Sequence, residues 1–158
     1  MFGLHGRAFR FGNVVGPRQT HGVGFDFVRR LLREPDHLPI LGDGKQSKSY
    51  LYVSDVIDAV LTALRNEDRN YQVYNVATRD YITVTEIAEL SIECMGLPPG
   101  SVRLEYTGGN RGWKGDVPIV RLNSDRIRAL GWANKRTSRQ SLQESMLAMI
   151  PDAQAGRL

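Results

Sequence analysis

The chain has 158 residues, is 41% hydrophobic and 24% charged, and carries a net charge of +4, the proportions of a globular chain able to fill one domain. No run approaches the ~20 apolar residues of a membrane helix, residues 1–11 are broken by polar groups unlike a secretory leader, and the lone Cys94 excludes an internal disulfide or a cysteine-built metal site. The expectation is a cytoplasmic protein with mildly anionic partners, lacking the dense basic stripe and interleaved aromatics of a nucleic-acid site.

Ala8 to Phe11 reads as a short strand running into a Gly-Asn turn. Val23 to Glu34 places Phe27, Val28, Leu31 and Leu32 at helical spacing, and Pro35 stops it. Arg29, Arg30 and Arg33 on this helix read as a solvated face. Leu38 to Leu41 is a short apolar run closed by the turn chemistry of Gly42-Asp43-Gly44, and Tyr50 to Val53 reads as a strand. Ser54 or Asp55 is positioned to cap a helix through Val56, Ile57, Val60, Leu61 and Leu64. Tyr71 to Ala77 is strand-like.

Thr83 and Glu86 form a capping box for a helix ending at Gly96, and Val102 to Tyr106 alternates as a strand. Ser124 is placed to cap a brief helix to Leu130. Thr137 and Gln140 make a second capping box ahead of Leu142, Met146 and Met149. Residues 151–158 lack periodicity and are expected to fray, leaving 1–150 as one α/β unit.

Three phrases carry more than secondary structure. They are Arg10-Phe11-Gly12-Asn13-Val14-Val15-Gly16-Pro17-Arg18-Gln19 with Thr20-His21-Gly22-Val23 behind it, then Leu41-Gly42-Asp43-Gly44-Lys45-Gln46-Ser47-Lys48-Ser49-Tyr50-Leu51-Tyr52-Val53-Ser54-Asp55, and Arg111-Gly112-Trp113-Lys114-Gly115-Asp116-Val117. In this order they resemble the NAD-dependent sugar-nucleotide epimerases and dehydratases of the extended short-chain dehydrogenase/reductase superfamily. The likeness runs from about residue 3 to 149 and is greatest to the UDP-glucose 4-epimerase group.

The resemblance implies a site. Asn13 matches an asparagine that reaches the diphosphate or sugar, although an asparagine also suits a left-handed turn. Val23, Phe25 and Leu41 fall where the family shapes its uracil slot, positions equally served by plain core residues. Lys48 stands where relatives carry a phosphate-binding arginine, keeping the charge without the bidentate fork. Ser49 replaces an aspartate, and Tyr50 is either a site residue or strand filler. Asp116 matches an aspartate that meets the ribose hydroxyls. The arginine of the family's Arg-x-Gly-Asp is Trp113 here, so Arg111 or Lys114 is left to supply the cation.

Other features of the resemblance are missing. No tyrosine in the chain is followed four residues later by lysine, the acid/base pair of the superfamily. Gly109-x-x-Gly112-x-x-Gly115 copies the dinucleotide-binding spacing, but Asp116-Val117-Pro118 follows where a helix has to open. His5, His21 and His37 lack ligand spacing, and no Gly-x-Ser-x-Gly elbow is present.

The fold class expected is therefore α/β: the C-terminal substrate lobe of an extended Rossmann-type epimerase, including the last strand or strands of its sheet, with the dinucleotide-binding region outside the chain. Ala8 to Phe11 would then lack its sheet partners. The intact family enzyme, for which a homodimer is compatible, uses NAD to take hydride from C4 of a UDP-hexose and return it to the other face. This chain alone is expected to bind UDP-sugar weakly or not at all, to need no cofactor, and to have no partners among nucleic acids or membranes. The alternatives are a non-catalytic nucleotide-binding or regulatory module, part of a dehydratase or decarboxylase, and a basic surface protein for polyanions.

Overall fold

Eight short strands and five helices alternate through residues 3–157, the part described by the computed structural model. In chain order they are β1 (Gly6–Phe11), β2 (Asn13–Val15), α1 (Val23–Arg33), β3 (His37–Ile40), β4 (Ser47–Lys48), β5 (Tyr50–Tyr52) and α2 (Val53–Asn66). Then come β6 (Tyr71–Val76), β7 (Ile82–Thr83), α3 (Val84–Cys94), β8 (Arg103–Tyr106), α4 (Asp125–Arg128) and α5 (Ser138–Gln154). None of the helices is long and apolar enough to cross a membrane, among the described residues.

The strands pair two by two. β1 lies parallel to β6, β2 parallel to β5, and β3 parallel to β8, while β4 and β7 are antiparallel. Each parallel pair is separated in sequence by a helix-containing crossover, as parallel strands require. β6 runs alongside β1 from Gly6 opposite Tyr71 to Phe11 opposite Val76, correcting the expectation that this strand has no sheet partner. Its other edge is unpaired among the described residues.

Two cores hold these pairs. The larger gathers Phe25, Phe27, Val28 and Leu31 of α1 with Ile87 and Leu90 of α3, Leu142, Met146 and Met149 of α5, and Leu38 and Ile40 of β3. The smaller packs Leu51, Val56, Ala59 and Ala63 against Tyr74, Val76, Ile127 and Trp132. Val15 and Tyr50, from the β2–β5 ladder, belong to the larger core, whereas neighbouring Leu51 belongs to the smaller. That ladder is the seam between the two.

Helix ends show which local signals survive tertiary contact. Thr83 with Glu86, and Thr137 with Gln140, form complete capping boxes for α3 and α5, so two free end donors of each helix are satisfied locally. α2 behaves otherwise: neither Ser54 nor Asp55 caps it, and the helix begins at Val53 without a side-chain cap. The Asp55 carboxylate instead accepts the Lys135 and Arg136 amides at 3.1 and 3.3 Å and the Arg136 guanidinium at 3.3 Å, deep in the fold. Ser124 is similarly diverted. Its Oγ accepts from Arg128 Nε at 3.1 Å, while Asn123 Oδ1 takes the Asp125 amide at 2.8 Å.

At the other end of the chain, α5 continues past Pro151 to Gln154, where fraying was expected. Proline there removes one helical hydrogen bond. Met149 in the core and Ile150 and Ala153 against it hold the last turns by packing.

Candidate functional site

A cleft of about 400 Å3 lies beside the β2–β5 seam, walled by α1, the end of β3, the 46–50 segment and the 112–116 turn. α1 contributes by its periodicity. A helix turns about 100° per residue, so Val23, Asp26, Phe27 and Arg30 fall on one face, and all four line the cleft. Phe25 points about 200° from Val23 by the same geometry. It is buried in the larger core under the Arg29 guanidinium and does not line the cleft, which corrects its assignment to a base slot. Val23 and Leu41 do line it, and Leu41 is half exposed there rather than packed as core.

The start of α1 is open to a ligand. Its N-cap, Gly22, has φ 101° and no side chain to bond the first-turn amides, and Gly22, Val23 and Gly24 all face the cleft. Unpaired amides and the positive end of the helix dipole favour an anion. Asp26 in the first turn offsets part of that field.

On the opposite wall Lys48 Nζ meets Asp116 Oδ1 at 2.6 Å, with the lysine side chain 25% and the aspartate 7% exposed. Asp116 Oδ2 also accepts the Gly112 amide at 3.1 Å. Burial by itself raises the Asp116 pKa; the hydrogen bond from Lys48, the Gly112 amide and the lysine charge outweigh it, and the carboxyl sits below its usual value of 3.8. A carboxylate with a depressed folded pKa adds stability above its ordinary pKa and loses it as pH falls through the folded value. The stability difference between wild type and Asp116→Asn, measured by urea unfolding, is therefore expected to be largest near neutrality and to shrink as pH drops below 3.8. A difference constant with pH would contradict the ionised pair.

Tyr50 lies next to this pair and lines the cleft while also packing in the larger core. Burial first, and the Asp116 charge second, push its phenol up to about 12. It stays protonated at neutral pH, a donor rather than a base. Its backbone amide is fixed by Ser138 Oγ at 3.0 Å, tying β5 to the start of α5.

Asn13 is the first residue of β2 rather than part of a turn, and Arg18 is the only described non-glycine residue with positive φ. The left-handed explanation for this asparagine thus falls away. Its amide nitrogen donates to the Ser49 carbonyl at 3.0 Å, and the side chain lines the cleft.

Arg111 and Lys114 do not line the cleft. The Asp116 amide bonds back to the Trp113 carbonyl at 3.0 Å, and the resulting turn brings Gly112, Trp113 and Asp116 to the cleft instead. Arg111 is thereby corrected as a site residue. The cations that do face the cleft are Lys48 and Arg30, the second donating to the Pro39 carbonyl at 3.2 Å. Arg30 and Gln46 are additions that sequence reasoning missed. Gln46 is buried, and its Nε2 braces the Leu41 carbonyl at 3.3 Å.

The glycine-spaced segment does not fit a dinucleotide. The Gly112 amide is taken by Asp116, a Cβ at Gly115 would collide with the Trp113 ring, and the next helix begins only at Asp125. Among the described residues it therefore makes no pyrophosphate cradle.

Comparison with known proteins shows what the chain is similar to. The family model described as "NAD dependent epimerase/dehydratase family" matches residues 1–77. A crystal structure of UDP-galactose 4-epimerase superposes with TM-score 0.81 at 31% identity, covering 96% of this chain and 48% of that one. The UDP-glucose 4-epimerase of Thermotoga maritima, solved with UDP-glucose, gives TM-score 0.75 at 31% identity, covering 90% and 45%. A UDP-N-acetyl-alpha-D-glucosaminuronate decarboxylase from Bacillus cytotoxicus is 32% identical over 90 residues, 55% of this chain and 28% of the relative. The chain thus spans about half the length of the solved structures it matches. The sequence signature of that family lies in residues 1–77, and the backbone of nearly the whole chain is similar to that of the two epimerases.

Proposed function

We propose that this chain is the UDP-sugar-binding lobe of a UDP-glucose 4-epimerase-like enzyme, and that the cofactor and the acid/base pair of the reaction are held by a lobe outside it. The observation that carries this reading is the shared cleft of Asn13, Lys48, Tyr50 and Asp116 with the uncapped start of α1. In this arrangement Lys48 and the first-turn amides of α1 hold the diphosphate, and Asp116 takes the ribose hydroxyls. Asn13 keeps one amide hydrogen and its oxygen for phosphate or sugar, and Val23, Phe27 and Leu41 form the apolar slot for the base. Binding energy so far from the reacting carbon retains a sugar while it reorients, which suits an epimerase.

The absence of Tyr-x-x-x-Lys from the sequence and the half-length coverage support the division into lobes. A decarboxylase or dehydratase lobe is the second reading, favoured by the 32% identity to the Bacillus cytotoxicus decarboxylase. Both readings share the nucleotide grip. With the cofactor lobe outside the chain, calorimetric titration with UDP is expected to give weak but saturable 1:1 binding, with no epimerase activity on UDP-glucose. Heat that is equal for any polyanion and collapses steeply with salt would refute the grip.

A further inference from the structure

The indole of Trp113 stands at the rim of the cleft with 67% of its surface exposed, a large apolar ring left in water. Its position is fixed rather than incidental. The Asp116 amide bonds to its carbonyl at 3.0 Å, and the Gly112 amide bonds to the Asp116 carboxylate at 3.1 Å, so ring and carboxylate are held in one turn. The six-membered part of the indole lies against Gly115, where any Cβ would collide with it. One side of the ring is thus braced by backbone. Leu41 packs beside Gly112 of the same turn, and Val23 and Phe27 of α1 line the same cleft; none of the three offers a polar side chain to a ligand.

In the family pattern this position is a cation, and the 112–116 turn carries neither Arg111 nor Lys114 into the cleft to replace it. A neutral, flat, exposed surface beside the ribose-binding carboxylate calls for a flat, neutral partner. We propose that Trp113 is a specificity-determining platform on which the nucleobase of the bound nucleoside diphosphate stacks, in a cleft also lined by the apolar Val23, Phe27 and Leu41. This rests on the reading of the cleft as a UDP site. It makes affinity depend on the base as well as on the diphosphate, because base–aromatic stacking is favourable for any planar heterocycle.

The two tryptophans make the test direct. Trp132 is 4% exposed, with its indole N–H bonded to the Asp55 carbonyl at 3.0 Å, so a fluorescence change on binding reports Trp113. The full chain is titrated with UDP and with ribose 5-phosphate, following heat and tryptophan emission together. The expected result is emission quenched in step with UDP heat, absent in Trp113→Phe and absent with ribose 5-phosphate. Trp113→Phe should retain UDP affinity within about threefold, and Trp113→Ala should lose about tenfold, the order of one base–aromatic stack. Unchanged far-UV spectra of both variants exclude a folding defect. UDP heat without quenching, or equal affinities of the Phe and Ala variants, would overturn the platform and leave the UDP site standing. Quenching by ribose 5-phosphate equal to that by UDP would overturn it in favour of a sugar contact. No UDP heat at all would overturn the site and the platform together.

Discussion

Replacing Lys48 with alanine is expected to weaken UDP binding by about 10- to 100-fold, the range of one charge-assisted hydrogen bond to a phosphate. Lys48 pairs with Asp116 and lines the cleft in which the diphosphate is proposed to lie. Its removal has two effects of the same sign. The ligand loses a donor, and the Asp116 carboxylate, 7% exposed, is left facing an anion without its partner. Lys48→Arg restores the charge and adds a bidentate fork, and is expected to recover most of the affinity. Calorimetry on the three proteins, with urea unfolding to show that each is folded, decides the matter. Equal affinity of Lys48→Ala and wild type would remove the lysine from the site.

Asp55→Ala is expected to cost about 2–4 kcal/mol of stability, in the range for a buried carboxylate removed from its partners. Its effect is on the fold and not on the ligand. The side chain is 1% exposed and joins α2 to the 135–136 segment through two backbone amides and the Arg136 guanidinium. With alanine, the two amides lose their side-chain acceptor, while the guanidinium keeps Glu144 and Ser54. Asp55→Asn retains one oxygen, so it is expected to lose roughly half as much. Urea unfolding followed by Trp132 emission is well placed to measure this, because the indole N–H bonds the carbonyl of Asp55 itself. A change below about 0.5 kcal/mol, the size of an ordinary surface substitution, would contradict this role.

These two residues also mark what was legible in the sequence. Lys48 and Asp116 could be found because the spacing of the phrases around them resembles a family, and the fold places the two side chains 2.6 Å apart, though they are 68 residues apart in sequence. The capping boxes at Thr83 and Thr137 were legible because cap and partner lie within one turn. Asp55 and Ser124 looked like caps by the same local rule and are not. Segments distant in sequence compete for their oxygens, and the buried, charged contact wins for Asp55.

Phe25 and Arg111 were placed in the site by motif position alone. Helix rotation turns the first into the core, and the turn closed by Asp116 leaves the second outside. Arg30 was hidden for the opposite reason. Three arginines on one helix read as a solvated face, and only the packing of α1 shows that one of them reaches the cleft.

The proposed grip requires that one ligand contact the α1 start and the Lys48–Asp116 pair at the same time. Backbone amide NMR during a UDP titration tests this directly. The amides of Asn13, Gly22 to Gly24, Lys48 and Gly112 to Asp116 are expected to shift together along a single saturation curve. Shifts confined to one of these segments, or centred on the far side of β1 and β6, would contradict it.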